Sequence, residues 1–146
     1  MKRLISLLVA VLALTSFTLS AGNDKPITYE QLPQKARTLL ETHFASEKVA
    51  FLKMESKLFK TEYKVMLVSG NEIEFDGKGV WKEIDCEYTA VPLALIPQEI
   101  RQSVKERFPM QTIVKIERDA KKYEVELDNE IELKYNLKFQ LIDIDR

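Results

Sequence analysis

Cysteine occurs once in this 146-residue chain, at Cys86, and histidine once, at His43. A lone thiol cannot close an internal disulfide, so an exported form would be held by its core alone, which is feasible at this size. A lone imidazole leaves one side chain suited to proton transfer near neutral pH. Cys-x-x-Cys, His-x-x-x-His and calcium-loop spacings are all absent, so no metal site is expected. Only four glycines and five prolines are present, which excludes long low-complexity linkers. No glycine-rich loop of the phosphate-cradling kind exists, because Asp76-Gly-Lys-Gly79 is explained by a tight turn. The formal net charge of −1 offers no basic footprint for nucleic acid. What remains is globular in character: 45% hydrophobic and 31% charged residues, enough for one compact domain or two very small ones.

The first 21 residues stand apart. Lys2 and Arg3 precede an apolar run from Leu4 to Leu14, interrupted only by Ser6, and a small, mixed stretch follows from Thr15 to Ala21. This is the layout of a secretory signal peptide, with cleavage expected after Ser20 or Ala21. The run is shorter than the ~20 apolar residues a membrane span needs. No cysteine lies near the cleavage region, so a lipid anchor is not expected, and the mature chain has no candidate transmembrane segment. Loss of Lys2 and Arg3 leaves 20 basic and 23 acidic side chains, a formal charge of −3.

The rest of the chain is written twice. Leu32-Pro-Gln-Lys-Ala-Arg…Phe44 aligns with Ile96-Pro-Gln-Glu-Ile-Arg…Phe108, with Pro, Gln, Arg and Phe in matching places. Tyr63-Lys-Val-Met-Leu67 aligns with Tyr123-Glu-Val-Glu-Leu127, Asn71-Glu-Ile-Glu74 with Asn129-Glu-Ile-Glu132, and Ile84-Asp85 with Ile142-Asp143. The spacing drifts from 64 to 60 to 58 residues, which implies short deletions in the loops of the second copy.

Each copy opens with an amphipathic helix. Leu32, Ala36, Leu39, Leu40 and Phe44 form one apolar stripe, and Ile96, Ile100, Val104 and Phe108 the other. Pro33 and Pro97 suit a helix start, and Pro109 a helix end. Alternating strands follow. Tyr63, Val65 and Leu67 alternate with Lys64 and Met66, and Ile73 and Phe75 with Glu72 and Glu74. In the second copy Tyr123, Val125 and Leu127 alternate with Glu124 and Glu126, and Ile131 and Leu133 with Glu130 and Glu132. A period of two buries one sheet face and wets the other. The expected fold is α+β: a tandem repeat of a helix plus a four-stranded antiparallel meander. The repeats occupy residues 22–88 and 89–146 and join into an eight-stranded antiparallel sheet with helices on one face.

The Leu-Pro helix, the Tyr-x-Val-x-Leu strand and the Glu-Ile-Glu-Phe-Asp76-Gly-Lys-Gly79-Val-Trp81 hairpin resemble the PepSY-like, β-lactamase-inhibitor-like family of small exported bacterial proteins. The hairpin is the most specific part. Copy two, Leu133-Lys-Tyr-Asn-Leu-Lys-Phe139, keeps the apolar positions without the glycine. The resemblance implies a periplasmic protein whose sheet has an open, often concave face. In the β-lactamase inhibitor proteins that face grips an enzyme, but a shared fold does not carry that activity over.

No catalytic group is expected. His43 reads as a surface residue near a helix C-terminus, and Cys86 as a structural thiol or, if exposed, a site of intermolecular disulfide formation. The candidate partner-binding face is the wet side of the strands: Lys64, Met66, Glu72, Glu74, Glu124, Glu126, Glu130 and Glu132. Tyr88 could add an aromatic anchor, whereas Phe75 and Trp81 read as core. The expected function is an exported, periplasmic, non-catalytic binding module that needs no cofactor and docks a protein partner through that face, with inhibition as one form of docking. The alternative is a structural, small-ligand or cation-binding envelope module that uses the acidic face.

Overall fold

The computed structural model describes residues 23–146, so the expected signal peptide lies outside the described residues. Strand β1 (Asp24–Pro26) leads through a short 3-10 turn to helix α1 (Gln34–His43) and then to strands β2 (Val49–Lys57), β3 (Lys60–Leu67), β4 (Glu72–Asp76) and β5 (Trp81–Asp85). A second 3-10 turn precedes helix α2 (Gln98–Arg107) and strands β6 (Ile113–Arg118), β7 (Lys122–Leu127), β8 (Glu132–Asn136) and β9 (Leu141–Asp145). All nine strands form one sheet in sequence order, each antiparallel to the next.

The tandem α+β architecture expected from the sequence is present, with nine strands among the described residues instead of eight. The extra strand is β1, whose three exposed residues carry no alternation and include a proline, so its pairing is legible only from its partner β2.

One apolar row crosses the sheet from β2 to β9. Leu52, Val65, Ile73, Ile84, Ile116, Val125, Leu133 and Ile144 pair directly, neighbour to neighbour. All but Ile144 are buried. The helices cover this side. Ala36 and Leu40 of α1 and Ile100 and Val104 of α2 belong to the same apolar cluster as the strand row. Each fully buried aliphatic side chain in it contributes about 1.5–3 kcal/mol relative to exposure. On α2, Ser103 Oγ accepts a 3.1 Å hydrogen bond from Tyr135 Oη of β8, tying the helix to its sheet. On α1 the approach is closer. A Cβ at Gly79 would lie 2.7 Å from Pro33 Cβ and 3.0 Å from Ala36 N, so the turn between β4 and β5 needs glycine there.

The structure also corrects the repeat register. From Leu67 onward the two copies keep a constant spacing of 60 residues. Leu67 N–H donates to Asn71 O and Leu127 N–H to Ile131 O, Gly70 and Glu130 both hold positive φ (93° and 67°), and Ile84 pairs with Ile73 as Ile144 pairs with Leu133. The Asn-Glu-Ile-Glu strings and the Ile-Asp pairs therefore match in letters but not in place. A slip of two residues keeps every side chain on its expected face, so alternation alone could not reveal it. The glycine missing from copy two is replaced by Phe139, which takes the same left-handed position (φ 62°) as Gly79 (φ 82°). The turns are otherwise alike: Asp76 Oδ1 accepts from Lys78 N and Val80 N, and Asn136 Oδ1 from Lys138 N and Gln140 N.

Candidate functional site

The face opposite the helices carries polar side chains in registered rows. Along the central row, Lys53, Lys64, Glu74, Glu83, Glu117, Glu124, Lys134 and Asp143 sit opposite one another from β2 to β9. Four consecutive strands, β4 to β7, thus place glutamate against glutamate. The next row runs Phe51, Met66, Glu72, Asp85, Lys115, Glu126, Glu132 and Asp145. Like charges directly opposite one another on a sheet destabilise it.

Lysines answer only part of this charge. Lys64 Nζ lies 2.6 Å from Glu72 and 3.4 Å from Glu74, and these carboxylates hold its ammonium pKa above the ordinary value. Lys115 bridges to Glu83 at 2.9 Å, and Lys122 pairs with Glu124. Lys134 serves Asp145 at 2.9 Å and, at longer range, Asp143 and Glu132. Glu117 and Glu126 have no ion-pair partner among the described residues. The Glu117 carboxyl is held above the usual carboxylate range, first by partial desolvation between the strands and then by Glu83 and Glu124. Its tip nevertheless reaches solvent. Between β6, β7 and β8, Lys115, Glu117, Glu124, Glu126 and Glu132 line a shallow hollow of about 50 Å³, room for a water or two.

Toward the β1 edge the face becomes apolar. Phe51 and Met66 are 45% and 36% exposed and pair directly across β2 and β3. With Asp24, Pro26, Lys53, Lys64 and Glu72 they line a second hollow of about 390 Å³.

Of the residues picked from the sequence, the structure brings Lys64, Met66, Glu72 and Glu74 together on the first half of this face, and Glu124, Glu126 and Glu132 on the second. Glu130 is not among them. It lies in the turn before β8, exposed and at positive φ, because it occupies the turn position that Gly70 holds in the first copy. Tyr88 stands 70% exposed beyond β5, against Gly70. Trp81 and Phe75 are core, and the Arg118 guanidinium stacks 3.8 Å above the Trp81 ring. Sequence reasoning missed Glu83, Asp85, Lys115 and Glu117, the middle of the face. Register shifts between Glu74 and Phe75 and between Ile113 and Lys115 break the period of two on the strands that carry or adjoin them.

Cys86 is fully buried, and its thiol is pushed up to about 12, by burial first and then by Glu47 and Asp85. A thiol so far from ionisation is a poor nucleophile. Among the described residues no group of three or more His, Cys, Asp or Glu side chains is placed to hold a metal ion, and no helix is long and apolar enough to cross a membrane.

The family model described as "Putative beta-lactamase-inhibitor-like, PepSY-like" matches residues 20–62 and 61–143, and the chain belongs to this family. The two matches meet inside the β2–β3 hairpin. Comparison with curated proteins finds no match. Among solved structures, a "putative periplasmic protein" from Bacteroides vulgatus is 46% identical over 87% of this chain and all of its own, with a TM-score of 0.84. A "putative calcium-regulated periplasmic protein" from Bacteroides thetaiotaomicron is 50% identical over 84% of this chain and 97% of its own, with a TM-score of 0.83. A further Bacteroides vulgatus protein, described as periplasmic and of unknown function, is 38% identical over 84% of this chain and 99% of its own, with a TM-score of 0.81. The descriptions of these relatives agree with the periplasmic location expected from the sequence.

Proposed function

We propose that the chain is a non-catalytic binding module, exported with removal of residues 1–21, whose two repeats (22–88 and 89–146) jointly present the open sheet face to a protein partner. One observation carries this reading: Glu74, Glu83, Glu117 and Glu124 stand opposite one another on four adjacent strands, with too few lysines to neutralise them. A fold selected for stability alone would alternate the signs. A partner with a basic surface would relieve the repulsion, and the apolar pair Phe51–Met66 beside it supplies surface that can be desolvated. Inhibition of an enzyme is one outcome such docking can have. The buried, un-ionised Cys86 supports the non-catalytic side of the reading.

The test is capture from a periplasmic extract by the tagged chain and by its Glu83→Lys/Glu117→Lys variant, with folding of both checked by circular dichroism. The reading expects a specific protein retained by the first, lost from the second and released by salt. The same proteins on both would overturn it. A second reading has one observation in its favour, the description of the 50% identical relative as calcium-regulated. Calorimetry with calcium decides it: heat and a raised melting temperature, both abolished by Glu117→Gln/Glu126→Gln, would move the function from a protein partner to a cation.

A further inference from the structure

We propose that the end of the sheet formed by its four hairpin tips docks on a bilayer surface rich in anionic phospholipid. This surface is distinct from the open face, and the proposal stands independently of the function proposed for that face. The hairpins β2–β3, β4–β5, β6–β7 and β8–β9 all turn at one end, because the strands run antiparallel in sequence order. Each tip carries one exposed lysine with no ion pair among the described residues: Lys60, Lys78, Lys121 and Lys138. The acids beside them balance only part of this charge: two aspartates stand against the four lysines, and Glu62 is matched by two lysines of its own. Asp76 and Asp119 accept backbone N–H groups of their own turns, and Glu62 is held between Lys57 and Lys82. The charge presented outward at this end is positive, on a chain that is otherwise slightly acidic.

Apolar side chains accompany the lysines. Leu58 is 86% and Phe59 98% exposed, and Leu137 stands 52% exposed on the last tip. Leu58 and Phe59 sit where the two copies differ in length. Met54 pairs with Tyr63 as Arg118 pairs with Tyr123, but eight residues separate the first pair and four the second. The first hairpin has two extra residues on each side, which carry its tip about 7 Å beyond the level of its counterpart. Phe59 is held at φ 62°, a conformation glycine would take at no steric cost. A bulky, strained, fully exposed side chain on an added segment has no packing role in the fold. Apolar tips set among free lysines match a surface of anionic headgroups over hydrocarbon. The chain also enters the fold here. Asp24 pairs with Glu55, and Asn23 O accepts from Ser56 N–H, so the first described residues lie at the tip end.

The experiment uses the chain from residue 22 onward, which holds every described element. It is co-sedimentation with vesicles of phosphatidylcholine alone or with about a third phosphatidylglycerol, at low salt. Binding to the anionic vesicles only is expected, and each tip lysine changed to glutamine should weaken it about fivefold. Phe59→Gly should weaken binding about tenfold or more while raising the melting temperature, since the strain leaves with the side chain. A lower melting temperature with weaker binding would mean that Phe59 is structural, and would overturn the proposal. So would equal binding to neutral vesicles, no binding to either, or binding abolished by millimolar inorganic phosphate, which would indicate a phosphate-ion site instead of a membrane.

Discussion

Glu117 is flanked in register by Glu83 on β5 and Glu124 on β7, so its replacement by glutamine (E117Q) removes one like-charge contact on each side while keeping the shape of the side chain. Opposed carboxylates about 6 Å apart repel by about 0.7 kcal/mol at the dielectric of water and by more where strands exclude solvent. Glu117 reaches solvent, so the water-like figure applies, and the nearby Lys115 offsets part of it. The expected gain is about 0.5–1 kcal/mol, or about 2–4 °C in melting temperature for a fold of this size. The pH dependence has a definite sign. A carboxyl whose folded pKa is raised penalises the fold fully above that raised value, and the penalty disappears as pH falls below the ordinary carboxylate pKa. Thermal melts by circular dichroism should therefore separate E117Q from the natural chain most at pH 7 in 10 mM salt, less in 0.5 M salt, and not at all near pH 4. A variant that melts at or below the natural chain at pH 7 and low salt would refute the idea that this row is under repulsive strain, and with it the main support for a docking role.

Gly79→Ala should cost about 2–4 kcal/mol in chemical denaturation, because the new methyl both meets α1 and sits at φ 82°, whereas Gly77→Ala, whose Cβ meets Thr61 O at 3.2 Å, should cost less. Phe75→Ala, at a fully buried position, should cost about 3–5 kcal/mol in the same assay, and Glu130→Ala almost nothing. Cys86 should resist an aromatic disulfide reagent at pH 8 in the native state and react only as fast as the fold opens; rapid labelling would contradict its burial and its raised pKa.

Much of this architecture was legible because the two copies report on each other. The apolar stripes of α1 and α2 and the alternation in β3, β4 and β7 are strong periodic signals, and each was seen twice. What escaped had a local physical cause. Bulges reset the alternation around β4–β5 and in β6, which hid Glu83, Asp85 and Glu117, the charges that make the face unusual. The repeated Asn-Glu-Ile-Glu string drew the alignment two residues off, and that slip assigned Glu130 to a strand when backbone conformation assigns it to a turn. Short β1 has no pattern of its own. The candidate face was thus readable at its flanks and not at its centre, since its centre depends on register across strands and not on spacing along them.

The ninth strand has a consequence for how copies of this chain can meet. Where the repeats join, the last strand of one, β5, zips onto the first strand of the next, β6, in a head-to-tail seam that any further copy could extend. The outer border of β9 is the equivalent of the border β5 offers, and the outer border of β2 is the equivalent of the one β6 presents. Residues Asp24–Pro26 already pair with Lys53–Glu55 on the latter, and Pro26 has no N–H to offer a further strand, so three residues blunt the border on which the β9 edge of another molecule would add.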